Sequence, residues 1–324
     1  MKDIELLYNG LSIIASSKAQ TGDHWEAHFG AAAIAGYFFV RDNDLSGETG
    51  AGVTRQATAM VNRYLGGTDA GGNAAGGGTG IGLQEAESLI LAELDKTIDG
   101  LHWVGHPVIY SAISLLALHE LGGWGSEEEA AGIAALIRSF ERTIPGRSWI
   151  GYSTSEVKRV QLEEEDRIPD IHHPDQLSKF ILGELAACQT IYRAEAHHDL
   201  LGHMLTYSDA LNLLYDLGHG DFFRRGLTPL FKMVKVLRAS RSLHPGDDLR
   251  VFSPVDRLPL SECKRSVWLP TELEYWSFDY SGIDWDFGHV FKFPFSFYNH
   301  LKRDLIAGAG AIEHFRYIIL APDQ

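Results

Sequence analysis

Five long runs constrain this chain most: "WEAHFGAAAIAGYFFV", "HPVIYSAISLLALHEL", "EEEAAGIAALIRSFERTI", "DQLSKFILGELAACQTIYRA" and "HMLTYSDALNLLYDL". Each is rich in Ala and Leu and repeats its apolar residues three and four apart, the period of a helix rather than a strand. Several are apolar almost all round, and such a helix can be buried only among other helices. "EEEAAGIAALIRSF" and "DFFRRGLTPLFKMVKVLR" keep a charged face and are expected in an outer layer. The pattern predicts an all-α protein: one large domain over residues 1–324, with inner and outer helices in a toroid-like or solenoid-like array.

Two irregular stretches interrupt it. Residues 66–82 are mostly Gly and Ala and contain a late G-x-G-x-G. No strand precedes it, so the context of a dinucleotide or phosphate loop is missing. It is expected as a flexible surface loop or an active-site lid. Residues 240–286 hold four of the eleven prolines and strand-like pieces such as "LRVFS" and "SVWLP", and are expected as an insertion covering one end of the helical body.

A formal net charge of -15 argues against nucleic acid or an anionic membrane as the main partner, which leaves a small molecule. No run approaches the roughly 20 apolar residues of a membrane span, and the expected location is the cytoplasm. Cys188 and Cys263 make no metal or redox spacing and read as small buried hydrophobes in a reducing compartment.

Four segments share one plan: "AHFGAAAIAGYF", "GHPVIYSAISLL", "GHMLTYSDALNL" and "GHVFKFPFSFYN". Each has a small residue, a histidine and then a helix with a small or aromatic inner face. The histidines are His28, His106, His203 and His289, roughly 80 to 95 residues apart. Four helices in matching register could each present one imidazole to a shared cavity, and a helix N-terminus favours the neutral, metal-binding imidazole. Pro107 suits a first turn, which places His106 near the N-cap. One turn beyond each histidine stand Ala32, Tyr110, Tyr207 and Phe293, on the same face.

Three residues after each histidine come Ala31, Ile109, Thr206 and, in the last frame, Lys292. Aromatic neighbours and a positive helix end disfavour the ammonium form and populate the free amine. A free amine can add carbon dioxide to become a carbamate, a carboxylate-like metal ligand. The alternative is a lysine that snorkels to solvent.

These frames, and above all the closing His-x-x-Lys, resemble the questin oxidase-like family, whose characterised members oxidatively cleave polycyclic quinones. The resemblance spans nearly the whole chain as short islands: "HFGAAAIAG", "HPVIYSAISLLAL", "HMLTYSDALNLL" and the segment of His289 and Lys292. It departs from the family where Phe29, Pro107 and Met204 replace a glycine after the first three histidines. The resemblance implies a non-haem iron held by His28, His106, His203, His289 and a carboxylated Lys292. It also implies dioxygen chemistry on an aromatic or quinone-like substrate, with NAD(P)H or another external reductant as an open requirement. Imidazole and carboxylate donors suit Fe(II), Mn(II), Zn(II) or Co(II), and the absence of thiolates argues against an iron–sulfur site.

Tyr110, Tyr207, Phe293 and Trp285 could stack on a planar substrate, or be core aromatics. His24 and His102 stand four residues before a candidate ligand and could orient it or take a substrate proton. Asp209 is the general-base candidate. Asp284 and Asp286 read as acceptors for imidazole N–H or as helix caps; in a rival reading they are the acid–base pair of a helical glycoside hydrolase or lyase. His172 and His173 repeat the His-Pro helix start and could replace one of the four ligands. A zinc enzyme of the lanthionine-cyclising kind would need a cysteine pair with a histidine, which Cys188 and Cys263 do not supply. A non-catalytic binding protein would keep the cavity without the metal.

Overall fold

In the computed structural model, α5 occupies His106–Leu121, the span of the second apolar run. The structure describes residues 4–66, 81–247, 249–253 and 260–321. The fold is all-α. Its helices, in chain order, are α1 (Glu5–Thr21), α2 (Ala27–Asp42), α3 (Gly47–Gly66), α4 (Leu83–Leu94), α5, α6 (Glu127–Arg138), α7 (Thr154–Arg159), α8 (Pro174–Ala186), α9 (Leu200–Asp216), α10 (Gly220–Arg238), α11 (His289–Arg303) and α12 (Leu305–Phe315). Among the described residues the β structure is limited to two isolated bridges, Gly82 with Gly123 and Tyr192 with Glu262.

Local chemistry sets several helix ends. Ser126 caps α6 and Ser153 caps α7, each in a reciprocal capping box with a glutamate three residues on. Pro174 opens α8, and the Gln176 side chain accepts the backbone N–H groups of His172 and His173. The third and fourth runs stop short of their sequence patterns. α6 ends at Arg138 rather than Ile144, and α8 ends at Ala186 rather than Ala194. Pro229 sits inside α10, whose buried face recurs at Phe223, Leu227, Leu230, Val234 and Leu237 while Lys235 stays outside.

The chain clusters into two compact units. The first comprises Met1–Lys96, Tyr110–Ser139 and Trp268–Phe295. Within it α1 packs on α2, α3 and α6, α2 on α3, and α4 on α6. The approach of α1 to α2 depends on two glycines: a Cβ on Gly30 would stand 2.5 Å from the Gly10 carbonyl oxygen. α3 carries the segment that leads to α11 through one side chain. Buried Gln56 donates from Nε2 to the carbonyls of Trp276 (2.9 Å) and Phe278 (2.8 Å), and its Oε1 accepts from the N–H of Tyr280 at 2.9 Å. Three satisfied bonds on one buried amide hold this stretch in register without strand pairing.

The second unit comprises Thr97–Ile109, Phe140–Val267 and Ser296–Gln324. α9 packs on α8 and α10, and α8 on α12. Its core contains a polar clasp around buried His300: Ser178 Oγ lies 2.9 Å from Nδ1, Ser208 Oγ 2.8 Å from Nε2, and Asn212 Nδ2 donates to Ser178 Oγ at 3.0 Å. The Leu205 carbonyl, 3.1 Å from Nε2, can only accept, which puts the ring proton on Nε2. Burial lowers the His300 pKa to about 4 and keeps the ring neutral.

The region 240–286 is irregular, as expected, but neither "LRVFS" nor "SVWLP" forms a strand. Residues 254–259 lie outside the described residues, as do residues 67–80 of the Gly-rich stretch. Cys188 and Cys263 are both free and buried, and burial pushes their thiols up to about 11 and about 12. Among the described residues no helix is long and apolar enough to cross a membrane.

Candidate metal centre

His28 lies in the first turn of α2, while His106 and His289 are the first residues of α5 and α11. The last two are delivered by the same backbone device. Gly105 and Gly288 are left-handed, at φ 94° and 70°, and the residue ahead of each, Val104 at 52° and Phe287 at 50°, is left-handed too. Two such residues in succession turn the chain directly into the helix. A β-branched valine in this region is a genuine outlier costing on the order of 1–3 kcal/mol, so the surroundings must hold it. The glycines are also sites of close approach. A Cβ on Gly105 would lie 2.5 Å from the Tyr207 ring, and one on Gly288 would lie 2.4 Å from the Ala32 Cβ.

His203 departs from this plan. It is the fourth residue of α9, and a π-helical turn, Glu195–Asp199, runs into that helix without a break. The ring therefore stands on continuous helical backbone rather than at a helix head. In exchange it gains Asp199, whose carbonyl lies 2.9 Å from His203 Nδ1 and whose carboxylate lies 3.4 Å from the same atom. A carbonyl can only accept, so Nδ1 carries the proton and Nε2 the lone pair.

Tyr110 Oη lies 2.6 Å from His28 Nδ1 and 3.3 Å from the His24 carbonyl. When Nδ1 carries the proton, the phenol accepts it and turns its own proton to the carbonyl, leaving Nε2 as the lone-pair nitrogen; when Nδ1 is bare, the phenol donates to it. Burial raises the Tyr110 pKa well above its ordinary value and keeps the phenol protonated. The first arrangement gives His28 the hydrogen-bonded Nδ1–H that His203 has, the form typical of metal-ligating imidazoles.

Within the first unit the rings of buried His28 and of His289 meet edge to face, their centroids 5.6 Å apart. Within the second, buried His106 meets buried His203, Nε2 to Nε2 at 3.3 Å. The His289 ring stacks on Phe293 at 4.5 Å and 12°. Lys292, one turn on in α11, is buried with 6% of its surface exposed, which overturns the snorkelling alternative.

The remaining candidates separate in role. His24 pairs through Nδ1 with Asp23 at 3.0 Å, and its carbonyl serves Tyr110. His102 lies 3.4 Å from Thr143 Oγ1, and burial lowers its pKa. Asp209 is fully buried and accepts from Asn299 at 3.0 Å; burial pushes its carboxyl up to about 7. Asp286 accepts the Val290 N–H at 2.9 Å, the cap alternative, and exposed Asp284 pairs loosely with Arg63 at 3.4 Å. Asp286 thus has the capping role and Asp284 a place in a surface ion pair. His172 and His173 are exposed and held by Asp170 and Tyr215, each at 3.0 Å, so neither replaces a buried ligand.

Of the four expected stacking residues, Tyr110 is a hydrogen-bond partner of His28, and Phe293 stacks on His289. Tyr207 is buried against Gly105 and donates to the Gly226 carbonyl at 3.2 Å. Trp285 lines an open pocket. Sequence reading missed Asp199, although it stands four residues before His203, the offset that singled out His24 and His102. It also passed over His197, a buried neutral ring whose Nδ1 accepts from the Tyr192 N–H at 2.8 Å and whose Nε2 lies 2.9 Å from Ser240 Oγ.

Comparisons with protein-family models, with curated proteins and with solved structures found no match.

Proposed function

We propose that this protein is a metal-dependent oxidoreductase, a non-haem iron oxygenase acting on an aromatic small molecule. Its metal is held by His28, His203 and His289, with His106 and a carbamylated Lys292 completing the donor set. The observation that carries the reading is the pairing of these histidines within each unit, His28 with His289 at 5.6 Å between ring centroids and His106 with His203 at 3.3 Å between Nε2 atoms. Hydrogen bonds support it: the Asp199 carbonyl fixes His203 in the ligating tautomer, and Tyr110 Oη is placed to accept the Nδ1 proton of His28 when Nε2 takes a metal.

The donor set fits the group. Neighbouring nitrogen donors at about 2.0–2.1 Å from one five- or six-coordinate ion stand roughly 2.9 Å apart, so the His106 and His203 nitrogens at 3.3 Å need only a small approach to share it. Imidazoles with one carboxylate-type anion suit a divalent first-row ion of borderline softness. An Fe(II) ion bound there would convey electrons to dioxygen from the aromatic substrate or an external reductant. The chain's own residues do the rest: Tyr110 and Asp199 hold protons on the Nδ1 atoms, and the buried rings of Phe293 and the histidines exclude water.

The test is anaerobic reconstitution of tag-free protein with Fe(II), followed by metal analysis and oxygen electrode traces with aromatic phenols and quinones. Near-stoichiometric iron, lost in His28→Ala and His289→Ala, with oxygen uptake that depends on the aromatic compound, is expected. Failure to retain any divalent first-row metal would overturn the centre. Bound iron without oxygen uptake would overturn the oxygenase.

A further inference from the structure

The first unit contains an open pocket of about 510 Å³ lined by Phe29, Met60, Arg63, Tyr64, Trp285 and Phe287, with Asp284 and Ser281 at its edge. That volume is in the range of small-molecule sites. Its wall is a ladder of rings: Tyr64 to Phe29 at 5.9 Å, Phe29 to Phe287 at 6.1 Å, and Phe287 to His28 at 5.5 Å. The left-handed backbone of Phe287, which delivers His289 to its helix, thus also places one ring against both the pocket and a candidate ligand.

The polar groups of the pocket differ in how firmly they are held. Tyr64 Oη is 2.7 Å from Glu26, and that bond together with burial raises its pKa, so the phenol is a committed neutral donor. Arg63 is half exposed and paired only loosely, at 3.4 Å, with Asp284, whose side chain is 78% exposed. A solvent-facing pair of this kind is worth little, so exchanging Asp284 for an incoming anion costs little. Arginine in addition offers a planar fork matched to a carboxylate and a face that stacks on aromatic rings.

We infer that this pocket binds a flat aromatic acid, its rings against Phe29, Phe287 and Met60 and its anionic group on Arg63. The inference rests on the proposed metal centre only where the ligand becomes that centre's substrate; binding itself needs no metal. Ring contacts with Phe29 and Phe287 supply affinity, and Arg63 supplies charge selectivity. Asp284 acts as an internal competitor for Arg63, which sets the direction of its removal.

Calorimetric titration of the full chain, as purified, with 2-naphthoate, 2-naphthol and (2-naphthyl)trimethylammonium tests this. The carboxylate is expected to bind at least tenfold tighter than the cation, with the neutral alcohol between. Arg63→Gln should abolish that order without moving the melting temperature, and Asp284→Asn should tighten naphthoate several-fold and weaken the cation. No binding of any probe, equal affinities, a preference for the cation, or an unchanged preference in Arg63→Gln would each overturn the inference. Metal content of the same samples is read separately, so an empty pocket leaves the metal reading standing and a metal-free protein leaves the pocket standing.

Discussion

Nε2 of His106 and Nε2 of His203 stand 3.3 Å apart, with their rings at 86° to one another. Because His203 spends its Nδ1 proton on the Asp199 carbonyl, its Nε2 faces His106 as a lone pair. Such a nitrogen accepts either an N–H or a cation. A bound divalent ion will favour the lone-pair form of both rings. Metal affinity is therefore expected to fall at least tenfold in His203→Ala and in His106→Ala, and to fall with acid in the parent protein as the imidazoles protonate. Equilibrium dialysis with Co(II) at several pH values reads both effects, and an unchanged dissociation constant in His203→Ala would remove this ring from the donor set.

Tyr110 acts on the centre through the orientation and tautomer of His28. Tyr110→Phe keeps the ring that packs beside α2 and removes the acceptor for Nδ1–H. Loss of such a partner costs about 10–100-fold in metal affinity. It also leaves a buried donor to be satisfied elsewhere, at about 1–3 kcal/mol of stability. A metal titration of Tyr110→Phe beside a denaturant melt separates the two, and a variant that binds metal as tightly as the parent would deny Tyr110 its positioning role.

Lys292 offers a different signature. If its carbamate is a ligand, Lys292→Ala loses metal affinity and recovers part of it on addition of formate or acetate, which fill the same position. Removal of bicarbonate from the parent protein should have the same effect as the substitution. Full metal affinity in Lys292→Ala, or a loss that small carboxylates do not restore, would leave the lysine as a buried structural cation.

The helices were legible wherever apolar period and end signals agreed. α5 begins beside Pro107 and stops just before the glycines at 122 and 123, and both ends match its sequence pattern. The pattern overran at α6 and α8, where apolar residues continue past the last helical turn and pack as irregular chain. The strand-like look of residues 266–270 misled for a related reason. β-propensity measures fit to a sheet surface, and the described residues offer none. Two of the histidine frames, those of His106 and His289, were legible because the glycine before each histidine marks a chain reversal into a helix, as Gly105 and Gly288 show; Gly202, before His203, sits inside its helix. The role of Tyr110 was hidden: spacing places it one turn beyond His106, whereas its hydroxyl serves His28 from 82 residues away in sequence. The pocket was hidden likewise, since Phe29, Arg63 and Phe287 come from three distant segments.

Gly288→Ala tests that chain reversal directly. The added methyl would meet the Ala32 Cβ at 2.4 Å and would demand a left-handed alanine, two penalties that packing cannot relieve together. Destabilisation by about 2–4 kcal/mol and loss of metal retention are expected. Gly22→Ala is the control, because Gly22 is equally left-handed at φ 71° and a Cβ there meets nothing within 4 Å. It should cost only the backbone term, about 1–2 kcal/mol, and leave metal binding unchanged. Equal losses in the two variants would mean that close packing against Ala32 contributes nothing.

Asp209 makes stability depend on pH with a definite sign. Its carboxyl is fully buried, and although Asn299, Arg303 and Ser296 pull its pKa down, burial outweighs them and raises it from 3.8 to about 7. In the unfolded chain the same group ionises near 3.8, so between the two values the unfolded state releases a proton that the folded state keeps. The contribution of Asp209 to stability is therefore fully present below pH 3.8, declines as pH rises, and is lost by the time pH has passed through about 7. A gap of roughly three between the two pKa values corresponds to on the order of 4 kcal/mol. Asp209→Asn keeps the shape and an acceptor for Asn299 while removing the titration. Guanidinium melts of both proteins between pH 4.5 and 8 should show the parent losing stability relative to the variant across that window, whereas the titration of His197, His300 and the surface carboxylates is common to both and cancels in the difference. A difference that stays constant over the window would mean that Asp209 is ionised in the folded protein at all these pH values, and would return it to the role of a buried, charge-paired aspartate.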